Sequence, residues 1–250
     1  MVCLLTTSNQ HNTKRNIMFG FDPVLLVLMI VFAIIGFAVS SRLKSVFAKY
    51  EKMPLSSGLT GAQVAQKMLT DNNIYDVTVE STPGKLTDHY NPANKTVNLS
   101  PEVYSGRNVS AAAVAAHECG HAVQHAVEYP WLQMRSQMVP IVNFSSRALS
   151  FVYIAMIVLA FVSNLWAEML LVIIVLQAAI TLFSVVTLPV EMDASNRALV
   201  WLNQSGLTRG AEHEGAETAL KWAGRTYIVA ALASITTLLY YVMRYMGSRD

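Results

Sequence analysis

Charged side chains are scarce in this 250-residue chain. They make up 14% of it, where an ordinary soluble domain carries about 25%. With 53% hydrophobic residues and a mean hydropathy of +0.38, the deficit excludes a wholly soluble protein and points to a membrane protein with a soluble part. Cysteine is nearly absent too. Only Cys3, in an N-terminal tail, and Cys119 are present, so no disulfide framework holds the fold, and a free thiol in this setting fits a reducing compartment. There is no strong excess of one charge: the formal net charge is +2. No basic run is interleaved with aromatics, which argues against nucleic acid as a partner. Repeats and low-complexity segments are lacking, which excludes a repeat array.

What the chain does have is long apolar runs. Residues 1–18 read as an N-terminal tail, disordered and without chemistry, and Met18 fits as the natural start. No small-residue cleavage site follows the next apolar run, as a signal peptide would require. Residues 19–40 form the first expected transmembrane helix, 149–166 the second, 169–190 the third and 227–246 the fourth, each near the roughly 20 residues that a bilayer needs. The second and third spans form a hairpin across a tight link with Asn164 and Glu168. Gln177, Thr181 and Ser184 recur at helical spacing on the third, as small polar residues do in interhelical packing. After the first span, Arg42, Lys44, Lys49 and Lys52 alternate with Leu43, Val46, Phe47 and Tyr50. That segment either lies on the membrane surface as a basic amphipathic helix or simply continues the span.

Four spans put 41–148, the expected catalytic module, on the same side as 191–225, an expected helical segment. Lys and Arg concentrate on that side, which places it in the cytoplasm by the positive-inside bias. Within the module, Thr60 and Gln63 form a capping box opening a helix to about Asp71, with Val64, Met68 and Leu69 on one face. Three short β-like runs follow, 76–81, 86–90 and 95–100, separated by turns, and they suggest an antiparallel meander. A short helix begins at Pro101. Trp131 to Arg147, interrupted by Pro140, reads as a mixed linker back to the membrane.

The chemistry sits in His117-Glu118-Cys119-Gly120-His121, an H-E-x-x-H motif inside an Ala-rich stretch. The stretch favours helix, with Ser110 expected as its N-cap. On a helix, i and i+4 share a face, so both imidazoles can hold one Zn²⁺, one ion per chain. Glu118 beside them is placed to take the proton of a water polarised by that ion. A third protein ligand is needed. His125 is excluded as a co-ligand of His117, because eight helical residues rise about 12 Å while Zn–N bonds are about 2 Å. It serves beside the ligands or simply on the helix face. The longer motif with Gly and a third His fails at Gln124 and Val127. The remaining gluzincin-like pattern uses a distant acid. Glu128, Glu212, Glu214, Glu217, Asp193 and His213 are options, but Glu191 stands out, since an acid at a membrane exit is costly unless paired or ligating. Asp193 is then expected to support a ligand His.

These residues carry a resemblance. Asp88-His89-Tyr90-Asn91-Pro92, Lys95 to Ser100, Val114 to His125, Thr187 to Glu191, Ala194 to Leu199 and Thr226 to Ala231 resemble the YugP-like neutral zinc metallopeptidases of bacterial membranes. The likeness covers about Met18 to the end. It implies a multi-pass protein of the cell membrane that hydrolyses peptide bonds with zinc. A looser likeness to HtpX-type membrane proteases suggests quality control, with polypeptides, membrane proteins among them, as substrates. The expected fold is mainly α: a four-helix transmembrane protein with a small α+β zincin-like module carrying H-E-x-x-H on a helix. The expected site is Glu118 as general base, with His117, His121 and Glu191 on the metal. His89, Tyr90 and Arg197 are the candidates for holding the oxyanion, and substrate is expected to lie extended along an edge strand. The competing reading is a non-catalytic membrane protein that binds metal. Glu118 opposes it, because a structural site has no use for an acid beside its ligands. A transporter fits less well, since no ionisable residue lies near mid-membrane.

Overall fold

A computed structural model describes residues 22–159 and 166–247; the tail 1–18 and Asn164 lie outside them. Helix α1 (Pro23–Glu51) starts where Asp22 accepts hydrogen bonds from Val24 N and Leu25 N, with Pro23 in the first turn. This fixes the helix start, because proline's missing donor falls where no partner exists anyway. At 1.5 Å per residue α1 is about 44 Å long, more than a bilayer core. The continuation is therefore found, not a separate surface helix: Val46 and Tyr50 turn the apolar face of the basic stretch into the core of the soluble module.

α2 (Gly61–Asp71) has the expected capping box, with Thr60 and Gln63 bonded reciprocally, and it buries Val64, Ala65, Met68 and Leu69. The sheet differs from a meander. Strands β1 (Thr78–Ser81), β2 (His89–Asn91) and β3 (Thr96–Leu99) take the order β1-β3-β2. β3 is antiparallel to β2 but parallel to β1. β3 occupies the middle because it carries the buried Thr96, Val97 and Leu99, whereas β1 is mostly exposed. The Asp88 carboxylate also accepts bonds from Ser100 N and Oγ, at 2.7 and 3.0 Å, fastening the entry to β2 onto the end of β3.

α3 (Pro101–Ser105) leads into α4 (Val109–Ala126). The cap of α4 is Asn108, whose Oδ1 accepts from Ala111 N at 2.8 Å; Ser110 lies inside the first turn and is buried. Small Ala side chains let α2, α6 and α7 close around α4.

α5 (Pro130–Leu159) continues through Pro140, and α6 (Trp166–Gln204) through Pro189. The linker expected at 131–147 is therefore helix. Proline disfavours a helix interior by about 3 kcal/mol, but apolar packing on both sides offsets it. Met138 and Leu149 bracket Pro140, and Val186, Val190 and Ala194 bracket Pro189, all buried. α7 (Ala211–Met246) likewise passes 225–227 unbroken. The expected span edges at 190 and 226 are thus positions along continuous helices that carry the soluble module on their ends.

Four of these helices, α1, α5, α6 and α7, are long and apolar enough to cross a membrane, as a multi-pass membrane protein requires. Arg244 Nε lies 3.3 Å from Asp22 Oδ2, tying the end of α7 to the start of α1. About 20 residues along α1, a rise of about 30 Å, Arg42 sits over the Trp222 ring at 5.9 Å, and Arg225 covers the same ring at 4.1 Å. The apolar band between these two charged levels matches a hydrocarbon core of about 30 Å. Gln177, Thr181 and Ser234 hydrogen-bond across α6 and α7 within it, the packing role expected of such residues.

Candidate metal centre

His117, Glu118 and His121 lie on α4, and Glu191 on α6. The two helices meet at Gly120. A Cβ there would stand 2.5 Å from the Ala194 carbonyl oxygen, so only glycine permits this approach. The crossing brings Glu191 Oε2 to 3.3 Å from His117 Nε2 and 3.7 Å from His121 Nε2. One ligand atom from each of the three residues falls within 4.8 Å of the others, and no other such group occurs among the described residues. The imidazoles stand edge to face with centroids 4.9 Å apart.

The site fits a divalent ion by its donor chemistry. Glu191 Oε2 is buried and has no hydrogen-bond partner, an arrangement that a folded protein avoids unless the atom serves another purpose. Its neighbour Oε1 faces Arg135 Nη1 from α5 at 3.6 Å. Each imidazole is held through its other nitrogen. His121 Nδ1 donates to Gln124 Oε1 at 3.0 Å, and His117 Nδ1 lies 3.1 Å from Ser195 Oγ. Both Nε2 atoms are thereby turned to the centre as lone-pair donors. Burial works against a charged His121, but the Glu191 and Glu118 carboxylates, with Gln124, outweigh it and hold its pKa above the ordinary histidine value.

Gln124 is fully buried. Its Nε2 donates to Val190 O and to Asp193 Oδ2, both at 2.8 Å. Arg197 Nε donates to the same Asp193 oxygen at 2.6 Å and covers the Tyr129 ring at 5.8 Å. Asp193 therefore supports His121 at one remove, through Gln124, and Arg197 anchors Asp193. Gln124 and Ser195 escaped sequence reasoning. Both had a usable signal: Gln124 is three residues after His121, and Ser195 four after Glu191, each on the same helix face.

Glu118 is buried, and its Oε2 accepts Tyr90 N from β2 at 3.1 Å. Tyr90 Oη is 2.7 Å from His125 Nδ1, pinning β2 to α4; burial, with Asp76 nearby, pushes the Tyr90 phenol up to about 12. His89 is exposed, its Nδ1 2.7 Å from Thr87 O. The other acids stand apart. Glu212 accepts from Ser56 N, Glu217 pairs with Lys221, and His213 meets Thr208. Tyr227, from α7, lies within the field of the Glu191 and Glu118 carboxylates and of Arg135. Cys119 faces away from the centre toward Ala65 O, fully buried, and burial pushes its thiol up.

The family model described as "Putative neutral zinc metallopeptidase" matches residues 25–246. A curated relative, "Putative membrane protease YugP" of Bacillus subtilis (strain 168), is 39% identical over 228 residues, covering 90% of this chain and 99% of that protein. No solved structure matches.

Proposed function

The chain belongs to this family of neutral zinc metallopeptidases, and from that premise we propose that it is a zincin-like membrane peptidase that hydrolyses polypeptides at the bilayer surface. The observation that carries the reading is the orphaned, buried Oε2 of Glu191 facing two imidazole Nε2 atoms, with the Glu118 carboxylate on the same helix as both. His117, His121 and Glu191 would hold one Zn²⁺. When bound there, the ion supplies Lewis-acid polarisation of a carbonyl and acidifies a water. Glu118 receives the water's proton and returns it to the leaving amine. The Tyr90 amide keeps that carboxylate oriented by its 3.1 Å bond.

The same bond defines how substrate enters. Tyr90 pairs with Val97 across the antiparallel β2–β3 ladder, yet its N–H is spent on Glu118. Its C=O points the same way, because both groups of one residue share a side in an antiparallel ladder. The Tyr90 carbonyl is thus an acceptor for an extended peptide laid along β2. Because Glu191 stands on α6, a helix long and apolar enough to cross the membrane, membrane proteins are the substrate class within reach, in keeping with quality control. The positive-inside bias supports a cytoplasmic catalytic face.

The test is purification of full-length protein in detergent, with zinc content and cleavage of a casein-like substrate measured for wild type and Glu118→Gln. The reading expects zinc in both and cleavage only in wild type. Full proteolysis by Glu118→Gln would refute the assigned base, and absence of any transition metal in wild type would refute the metal.

A further inference from the structure

Helix α5 carries a charge where the expected spans held none. With the second span expected at 149–166, Arg147 stands outside the bilayer. Because α5 continues through Pro140, Arg147 lies inside it instead. Tyr153 Oη meets Tyr241 Oη at 2.7 Å, and Tyr241 is one turn from Arg244, at the Asp22–Arg244 level. Counting back along α5 from Tyr153, Arg147 stands about 13 Å from that level, near the middle of the roughly 30 Å apolar band.

The side chain is not hidden there. Met138, Ser145 and Leu149 are buried on the side of α5 that packs on α6. At 3.6 residues per turn, Asn143 and Arg147 fall on the opposite side, and both are exposed. Phe144, Phe151 and Ile154 beside them are exposed as well, as a lipid-facing surface requires. The hydroxyls of Ser136 and Ser150 are satisfied within the helix, by Leu132 O and Ser146 O. Arg147 and Asn143 have no hydrogen-bond, ion-pair or ring partner among the described residues. A charge at this depth is costly unless paired, so this face calls for an acidic partner.

The chain does not supply one. Residues 23–42, 131–159, 169–190 and 225–246 contain no Asp or Glu. A second copy fails for the same reason, and a two-fold pair along α5 would set two guanidiniums at one depth. The fitting occupant is a spanning helix of another protein with a carboxylate near its middle. The guanidinium fork takes a carboxylate bidentately, and Asn143, one turn away, adds a donor. Such a helix, lying along α5, also leads to the metal centre. Arg135 on α5 lies 3.6 Å from Glu191 Oε1, about 18 Å along the axis from Arg147. Beyond the bilayer, three or four extended residues at about 3.3 Å each cross the 10–12 Å width of α5.

We propose that the Asn143–Arg147 face of α5 docks the membrane-spanning helix of a substrate that carries an Asp or Glu near mid-bilayer. The inference rests on the peptidase reading above and narrows its substrate class. Intramembrane acids ordinarily face the interior of a helix bundle, so an exposed one marks a membrane protein separated from its partners.

The experiment uses full-length, zinc-loaded protein in phosphatidylcholine liposomes. Three single-span probes share one cleavable segment outside the bilayer and differ at one central residue: Glu, Leu or Lys. Each kcat/KM is divided by the same protein's value on a short soluble peptide of the cleavable sequence, and bound zinc is measured throughout. Wild type should favour the Glu probe over the Leu probe by about 3- to 20-fold, the range of intramembrane polar contacts, with the difference in KM. Arg147→Leu should bring the two probes to parity, and Arg147→Glu should turn the preference to the Lys probe. If Arg147→Glu fails to fold or load zinc, Arg147→Leu decides. Equal use of the Glu and Leu probes by wild type, as when Arg147 only reaches toward lipid headgroups, overturns the inference. So does a preference that survives Arg147→Leu, or a probe-free dimer that Arg147→Leu abolishes, which gives the face to a second copy. In each of these cases cleavage of the soluble peptide leaves the peptidase reading in place. A wild type that cleaves neither probes nor peptide overturns both.

Discussion

Gly120→Ala should separate the α4–α6 contact from every other feature of the centre. The added methyl meets Ala194 O at 2.5 Å, where ordinary contact begins at 3.4 Å, so the helices must part by up to about 0.9 Å. The obstacle is backbone, with no flexible side chain to give way. Overpacking of this kind costs about 1–3 kcal/mol, and here the displacement falls between the two helices that share the ligands. Metal sites tolerate distance errors of about 0.2 Å. Zinc affinity should therefore drop by at least the roughly 10-fold expected when a supporting group is lost. Gly224→Ala is the control. It lies within α7 with nothing within 4 Å of a new Cβ, so it should stabilise the protein by about 0.5–1 kcal/mol and leave zinc alone. Thermal unfolding in detergent and competitive zinc titration read both variants. A Gly120→Ala protein with wild-type zinc affinity would refute the claim that this approach sets the site.

Other outcomes follow from the same geometry. Ser195→Ala and Gln124→Leu each remove the partner of a ligand imidazole and should weaken zinc by about 10- to 100-fold, read by chelator competition. His121 has a raised pKa in the metal-free protein, so its charged form contributes stability that is complete below about 6.5 and fades as pH rises through the raised value. Metal-free protein should thus lose stability upward across that window. Zinc affinity should climb over the same window, because the ion displaces the proton; melts and titrations at matched pH check the crossing. In a Cys3→Ser background, Cys119, with 0% exposure and a thiol held protonated by burial, should react with a soluble thiol reagent only on unfolding, as a labelling time course would show.

Features that depend on residues within a turn or two were legible in the sequence. The Thr60–Gln63 capping box, the motif helix and the long apolar runs are all found. What depends on distant partners was harder to read. Strand order turns on which run carries the buried face, and β3 displaced β2 from the centre because Val97 and Leu99 are wholly buried. Pro140 looked like a break by local preference, but packing on either side keeps α5 whole. At the site, the cost of an acid at a membrane exit pointed to Glu191, which α6 does place against both histidines. The supports Gln124 and Ser195 share helix faces with ligands, yet their use depends on how α4 and α6 cross. Arg135 gave no local signal at all, since it meets Glu191 only because α5 packs on α6.

The central claim is a zinc centre divided between the motif helix and a membrane helix. Metal analysis of detergent-purified wild type and Glu191→Ala, after equilibration with one equivalent of Zn²⁺ and gel filtration, tests it most directly. The account expects about one zinc per chain in wild type and little retained by Glu191→Ala. Undiminished zinc in Glu191→Ala, or none in wild type, would contradict it.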